Sequence, residues 1–162
     1  MIMSHMAKRA RGIEQFRQYL DRGTPGPNSY AVLLGLESLD TAGIMRVAER
    51  GIPYGAFDTL RENTALAVEE TMAFVNIPRR TLTRRKREGA FAPDESDRLL
   101  RAARVFGRTL ELFDGDRDRA LDWLTTPQPG LGGAVPLQMA RTDVGAREVE
   151  RLVGRLEHGV FS

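Results

Sequence analysis

Apolar residues recur with a helical period along much of the chain. The longest run follows Pro93, where an acidic first turn precedes apolar positions spaced three to four residues apart. These positions are Leu99, Ala103, Phe106, Leu110 and Phe113. Such spacing places them on one face of a helix, and acidic side chains favour the positive end of the helix dipole. We therefore predict a helix from Pro93 to Phe113.

Upstream of this run, the pattern predicts two helices joined by a tight turn. The apolar positions of the first helix are Val68, Met72 and Val75. Asn76 can adopt the left-handed conformation that ends a helix, and Pro78 suits the start of a second helix that runs to Glu88. Helix, tight turn and helix in this order predict a helix-turn-helix motif.

Weaker helical signals lie on both sides of this motif. The predicted helices are Arg9 to Leu20, Asp40 to Glu49, Tyr54 to Arg61, Asp116 to Thr126, Leu137 to Ala140 and Ala146 to His158. The apolar stretch from Tyr30 to Leu36 fits a strand or a packed extension, because its period does not decide between them. The remaining pattern gives no convincing strand, so we predict an all-α fold.

Composition narrows the function classes. Hydrophobic residues make up 41% of the chain and charged residues 28%, which is typical of a globular protein. The chain has no cysteine, and its two histidines, His5 and His158, lie at opposite ends, so a metal site is not expected. We find no glycine-rich phosphate loop and no catalytic triad pattern, and we expect a non-catalytic protein without a cofactor. Without a long apolar run or a secretory leader, a cytoplasmic location is expected.

Positive charge is concentrated in the second helix of the motif. The segment RRTLTRRKRE from Arg79 to Glu88 holds six cations and one acid, whereas the whole chain has a net charge of only +2. This concentration is typical of a nucleic-acid contact, and a solvated or partner-facing basic helix is the alternative.

A recognition helix needs outward cations and a few apolar positions that hold it to its neighbour. We expect Val75, Ile77 and Leu82 to make the internal contacts. The candidate DNA contacts are Arg79, Arg80, Thr81, Thr83, Arg84, Arg85 and Arg87. Arginine can pair with guanine edges or phosphate, and threonine can donate to phosphate. Met72 departs from the pattern, because a small residue is favoured at its place.

The end of the chain combines an apolar stripe with balanced charge. The stripe consists of Val149, Leu152, Val153, Leu156 and Val160. Between Gly130 and Ser162, four arginines oppose four acids, so this segment is a poor DNA surface and a suitable protein interface. We expect the stripe to face a second protein. For Arg155, pairing with a partner and a solvated helix face remain equal alternatives, and His158 suits the negative end of a helix dipole.

Five segments between Ile77 and Val160 carry a family resemblance. In order, they are IPRRTLTRRKREGAFAPDESDRLLRAARVF, ALDWLTTP, LGGAVPLQM, the threonine and glycine of TDVGA, and VERLVGRLEHGV. They cover about half of the chain, and GIPYGAF adds a weaker match upstream. Together they resemble the antitoxin family named for Xre, MbcA and ParS.

The resemblance implies an Xre-like helix-turn-helix region followed by a small helical toxin-binding domain. We expect a DNA-binding domain over residues 30–92 and a toxin-binding domain over residues 93–162. Residues 1–29 would form an N-terminal extension that is partly disordered or derived from a tag, since MIMSHM looks like a cloning remnant.

The implied partner is a toxin of the RES-domain type, which depletes NAD or ADP-ribosylates a target. The antitoxin would cover the toxin's active site with its last helix and tail. The positions carried over are Arg151, Arg155, His158, Gly159, Val160, Phe161 and Ser162. We also expect a homodimer that binds a palindromic operator, represses its own operon and forms a larger complex with the toxin. The rival interpretation is a stand-alone transcriptional regulator whose C-terminal helices only dimerise.

Overall fold

The computed structural model describes residues 2–23, 25–37 and 40–159, with backbone only for residues 2–11. Within these ranges the chain forms helices and no strand, which confirms the all-α prediction. The helices are α1 (Ile2–Asp21), α2 (Thr41–Arg50), α3 (Gly55–Thr64), α4 (Val68–Val75), α5 (Arg79–Glu88), α6 (Pro93–Leu112), α7 (Arg117–Thr125), α8 (Pro136–Met139) and α9 (Asp143–Glu157). Two 3-10 helices span Ser29–Leu34 and Pro129–Leu131.

Helix α6 is the centre of the molecule. Of its predicted apolar positions, Leu99, Ala103, Phe106 and Leu110 have no solvent exposure, whereas Phe113 follows the helix and is half-buried. The helix packs against α2, α3, α4, α7, α9 and the first 3-10 helix. Burying large apolar side chains is the dominant favourable term in folding, so α6 ties the middle of the chain to its C-terminal part.

The N-terminal region contributes to the same core. Ile13 and Phe16 of α1 are buried in it. The backbone amide of Ile13 donates to Oδ1 of Asn63 at 3.2 Å, and Nδ2 of Asn63 donates to the carbonyl of Leu33 at 3.0 Å. This part of the expected extension is therefore integral to the fold.

The stretch from Tyr30 to Leu36 forms no strand. Residues Ser29–Leu34 adopt a 3-10 helix, and four consecutive apolar side chains in it are buried. They are Ala31, Val32, Leu33 and Leu34. A segment that is covered on all sides has no polar face, and this explains why its sequence shows no period.

Local signals at the helix ends agree with the structure. Asn76 ends α4 with φ of 55°, and the side chain of Asp116 accepts a hydrogen bond of 3.1 Å from the amide of Arg119 at the start of α7. Helix α9 begins earlier than predicted, because Thr142 caps it. A Cβ on Gly145 would lie 1.8 Å from the carbonyl oxygen of Met139, so this position requires glycine for the close approach of α9 to α8.

Within the described ranges, no helix combines the length and apolar character needed to cross a membrane.

Candidate DNA-binding and partner-binding surfaces

The internal contacts of the helix-turn-helix motif are as predicted. Val75, Ile77 and Leu82 are exposed by 0%, 1% and 6%, respectively. Leu82 places one side of α5 in the core, and Ile77 is buried within the turn that Asn76 and Pro78 make between the two helices. The opposite side of α5 is consequently directed to solvent.

Four residues form this solvent-directed surface, which we call the α5 outer face: Arg80, Thr83, Arg84 and Arg87. All four are exposed, and their spacing of three to four residues places them on one side of the helix. Of the α5 cations, the structure pairs only Arg79 and Arg85 with acids, as far as the described residues extend. The arginines of the outer face are therefore available to a polyanion.

Arg79 and Thr81 lie beside the outer face. Nη2 of Arg79 contacts Oε1 of Glu69 at 2.8 Å, and both side chains are largely exposed. An exposed pair of this kind contributes little to stability, so Arg79 can exchange its partner for a phosphate. Thr81 is half-buried and less accessible.

Arg85 does not point outward as the sequence suggested. Its Nε and Nη2 atoms contact the two carboxylate oxygens of Glu95 at 2.7 and 3.1 Å, and Nη1 contacts Glu88 at 2.6 Å. Only 18% of the Arg85 side chain and 7% of the Glu95 side chain are exposed. Glu95 lies in the acidic first turn of α6, which the sequence analysis related to the dipole of its own helix and not to the cations of α5, so this pairing was missed. Arg85 holds α5 to α6.

The environment of Glu95 favours its ionised form. The Arg85 guanidinium lowers the pKa of Glu95, and a 2.9 Å hydrogen bond from the backbone amide of Ala92 acts in the same direction, while burial opposes both. The hydrogen bonds to Glu95 and Glu88 raise the pKa of Arg85. The pair is thus fully charged near neutral pH and stabilises the C-terminal end of α5.

One exposed cation of α5 was not among the candidate DNA contacts predicted from the sequence. Lys86 is exposed and lies next to the outer face, among the same run of basic residues. Its place within that basic run was the sequence signal that could have identified Lys86 as a candidate. The first turn of α5 also contains Arg79 and Arg80 and no acid. Cations are unfavourable at the positive end of a helix dipole, so the interaction of these arginines with the dipole does not stabilise α5.

At the other end of the chain, the apolar stripe does not face outward. Val149, Leu152 and Val153 are buried against the rest of the protein, and Leu156 is half-buried. Two ion pairs flank this packing: Arg104 with Glu150 at 2.5 Å and Arg108 with Glu157 at 3.2 Å. The expectation that the stripe faces a partner is therefore wrong for these residues, because α9 already packs against α6, α8 and the second 3-10 helix.

The polar side of α9 remains accessible. Arg151, His158 and Gly159 are exposed, and Arg155 is half-buried. The carried-over positions Val160, Phe161 and Ser162 lie outside the described residues. Arg151 contacts Glu148 on the same helix. A partner at this end would meet a polar, charge-balanced helix side.

The fold and its charged helix define a helix-turn-helix protein that carries an additional helical domain. Two family models match it: the antitoxin Xre-like helix-turn-helix domain over residues 44–104, and the antitoxin Xre/MbcA/ParS C-terminal toxin-binding domain over residues 108–159. The chain is 37% identical to Antitoxin Xre of Yersinia enterocolitica over 130 residues, covering 80% of this chain and 88% of the relative. The protein belongs to the Xre antitoxin family.

Two further relatives extend the comparison. Antitoxin Xre of Photorhabdus laumondii is 32% identical, again over 80% of this chain and 88% of the relative. The Prs ADP-ribosylating antitoxin of a Sphingobium species is 27% identical, over 90% of this chain and 95% of the relative. The two matched domains meet within α6, so the central helix is shared between them.

Proposed function

We propose that this protein is the antitoxin of a two-gene operon, where it neutralises a RES-domain toxin with the polar side of α9 and the tail and represses its own promoter through α5. The toxin supplies the chemistry, and the antitoxin acts as a non-catalytic inhibitor in the cytoplasm. The observation that carries the proposal is the arrangement of the two matched domains. The motif domain presents unpaired cations, whereas the toxin-binding domain presents a charge-balanced surface.

The DNA-binding half rests on the α5 outer face. A dimer would place two such helices in successive major grooves of a palindromic operator, as helix-turn-helix dimers do. Arg80, Arg84 and Arg87 would reach phosphates or guanine edges, with Thr83 donating to phosphate. Arg79 and Lys86 would add phosphate contacts at the borders.

The toxin-binding half rests on the matched C-terminal domain. Arg151, Arg155, His158 and Gly159 would contact the toxin together with the last three residues. The Sphingobium relative is named an ADP-ribosylating antitoxin, and ADP-ribosylation is one of the two activities that the family resemblance implies for the toxin. This supports a RES-type partner over an unrelated one.

The proposal is tested by co-expressing the chain with the neighbouring reading frame. Deleting residues 159–162 should abolish protection and co-purification while promoter binding stays at the level of the full chain. Replacing Arg80 and Arg84 with alanine should have the opposite effect. A neighbour that is neither toxic nor co-purified would contradict the antitoxin role and favour the stand-alone regulator. Loss of both activities in both variants would contradict the division of roles.

A further inference from the structure

The turn of the helix-turn-helix motif is held by residues outside the motif. The backbone carbonyl of Asn76 accepts a 2.6 Å hydrogen bond from Nη1 of Arg98 on α6. The side-chain amide of Asn76 donates to the carbonyl of Arg141 at 3.4 Å. The residue that leads into the DNA-facing helix therefore contacts both α6 and the segment between α8 and α9.

The carbonyl of Arg141 has a second donor. Nη2 of Arg101 on α6 donates to it. Arg141 directly precedes Thr142, which caps α9 by accepting a 3.0 Å hydrogen bond from the amide of Gly145. One carbonyl at the start of α9 thus joins the motif turn, the central helix and the C-terminal domain. We call Asn76, Arg98, Arg101 and Arg141 the junction.

The two α6 arginines are placed for this junction. Arg98 is paired with Asp94 at 2.8 Å, and its side chain is only 26% exposed. Burial lowers the pKa of Arg101, and its Nε is buried without a hydrogen-bond partner in the part of the chain that the structure describes. Partial desolvation of a guanidinium costs free energy. The contacts that offset this cost are made to backbone carbonyls of neighbouring elements.

We propose that Asn76, Arg98 and Arg101 are positioning residues that fix α5 relative to the C-terminal domain, so that operator discrimination depends on the junction. This inference rests on the proposed contact of α5 with DNA. Base readout requires side chains within hydrogen-bond distance of base edges, whereas attraction to phosphates tolerates small displacements. A loosened junction therefore lowers operator affinity more than affinity for unrelated DNA.

Two variants of the full-length protein test the inference. Asn76→Gly keeps the turn, because glycine adopts positive φ without steric cost, and removes only the donor to Arg141. Arg101→Met keeps the apolar stem and removes the guanidinium. Fluorescence anisotropy with a labelled duplex from the region upstream of the chain's own gene, and with a scrambled duplex, gives a discrimination ratio over a salt series. Arg80→Ala serves as a matched phosphate-contact control.

Each junction variant should lower the discrimination ratio about fivefold, as expected for losing a single hydrogen bond, with the salt dependence unchanged. Arg80→Ala should weaken binding to both duplexes and reduce the salt slope by about 1 per protomer. A wild-type ratio in both junction variants, with Arg80→Ala still weakened, overturns the inference and leaves the proposed function standing.

Two other results would overturn the inference for different reasons. If Arg101→Met reduces the salt slope on both duplexes, Arg101 contacts phosphate and the inference is overturned. If Arg80→Ala binds as the wild type does, the proposed DNA contact of α5 fails, and the inference fails with it. Thermal unfolding checks that the variants are folded. If Arg101→Met does not fold, the discrimination ratio of Asn76→Gly alone tests the inference.

Discussion

Helices α5 and α9 are both rich in arginine, yet their arginines have different surroundings. The arginines of the α5 outer face have no acidic partner among the described residues. On α9, Arg147 pairs with Asp143 at 2.9 Å and Arg151 pairs with Glu148, whereas the half-buried Arg155 has no ion pair among the described residues. Unpaired cations can bind phosphates without first losing an ion pair. Under the proposed function, the comparison teaches that the pairing of exposed arginines, more than their number, separates the helix assigned to DNA from the helix assigned to the toxin.

The largest expected effect comes from two double variants, one of which removes two arginines from α5 and the other two arginines from α9. Arg80→Ala with Arg84→Ala should lower promoter affinity about 100-fold near physiological salt and reduce the salt slope by about 2, because two phosphate contacts are lost. Arg147→Ala with Arg151→Ala is the matched control on α9 and should change affinity by less than about twofold. Anisotropy titrations measure both. Equal losses would show that overall charge, and not the α5 outer face, determines binding.

A second test concerns the position of α9. Gly145→Ala should lower the free energy of unfolding by about 2 kcal/mol, because the new methyl group meets a backbone carbonyl that cannot move cheaply. Gly55→Ala is the control: no atom lies within 4 Å of the added Cβ, and alanine is the better helix former. Urea unfolding of both variants gives the answer. A Gly145→Ala variant as stable as the wild type would contradict the described packing of α9 on α8.

A third test addresses the largely buried ion pair between Arg85 on α5 and Glu95 on α6. Glu95→Gln should lower the free energy of unfolding by about 1 to 2 kcal/mol at neutral pH, because a charged hydrogen-bond acceptor is lost. The control is Glu69→Gln, which breaks the exposed pair with Arg79 and should cost less than about 0.5 kcal/mol. Similar losses in the two variants would contradict a stabilising role specific to Glu95.

The pH dependence sharpens the third test. The pKa of Glu95 is lowered in the folded protein, so its contribution is present above the ordinary carboxyl pKa and is lost as pH falls through the lowered folded value. The stability difference between wild type and Glu95→Gln should therefore shrink as the pH falls from neutral into the acidic range, below the ordinary carboxyl pKa. A constant difference over that range would show that the charge of Glu95 does not stabilise the fold.

The smallest expected effect is on α9. Arg151→Ala should change the free energy of unfolding by less than about 0.5 kcal/mol, since its ion pair is exposed. The same variant should weaken protection in the co-expression assay if this side of α9 contacts the toxin. Unchanged protection would show that Arg151 is not part of the toxin interface. Arg151→Lys is the control, because it retains the positive charge.

Local signals predicted much of the fold. The period of α6, the left-handed Asn76 and the cap at Asp116 depend on neighbours in the sequence, and each agrees with the structure. The 3-10 helix at Ser29–Leu34 could not be predicted, because complete burial removes the alternation that separates helix from strand.

The candidate sites were predicted less completely, for a physical reason. Whether an arginine is free depends on acids distant in sequence, and Glu95 on α6 takes Arg85 away from the α5 outer face. Likewise, an apolar stripe shows that a helix is covered on one side without showing what covers it. In α9, Val149 and Val153 are covered by the chain's own core.

The salt dependence of promoter binding by the full chain tests the central claim most directly. With about four to six phosphates neutralised per protomer by α5 and its borders, the logarithm of the association constant should fall with the logarithm of salt concentration at a slope of about −4 to −5 per protomer. A slope near zero, or the same slope after two of the three outer-face arginines, Arg80 and Arg84, are replaced with alanine, would contradict the account.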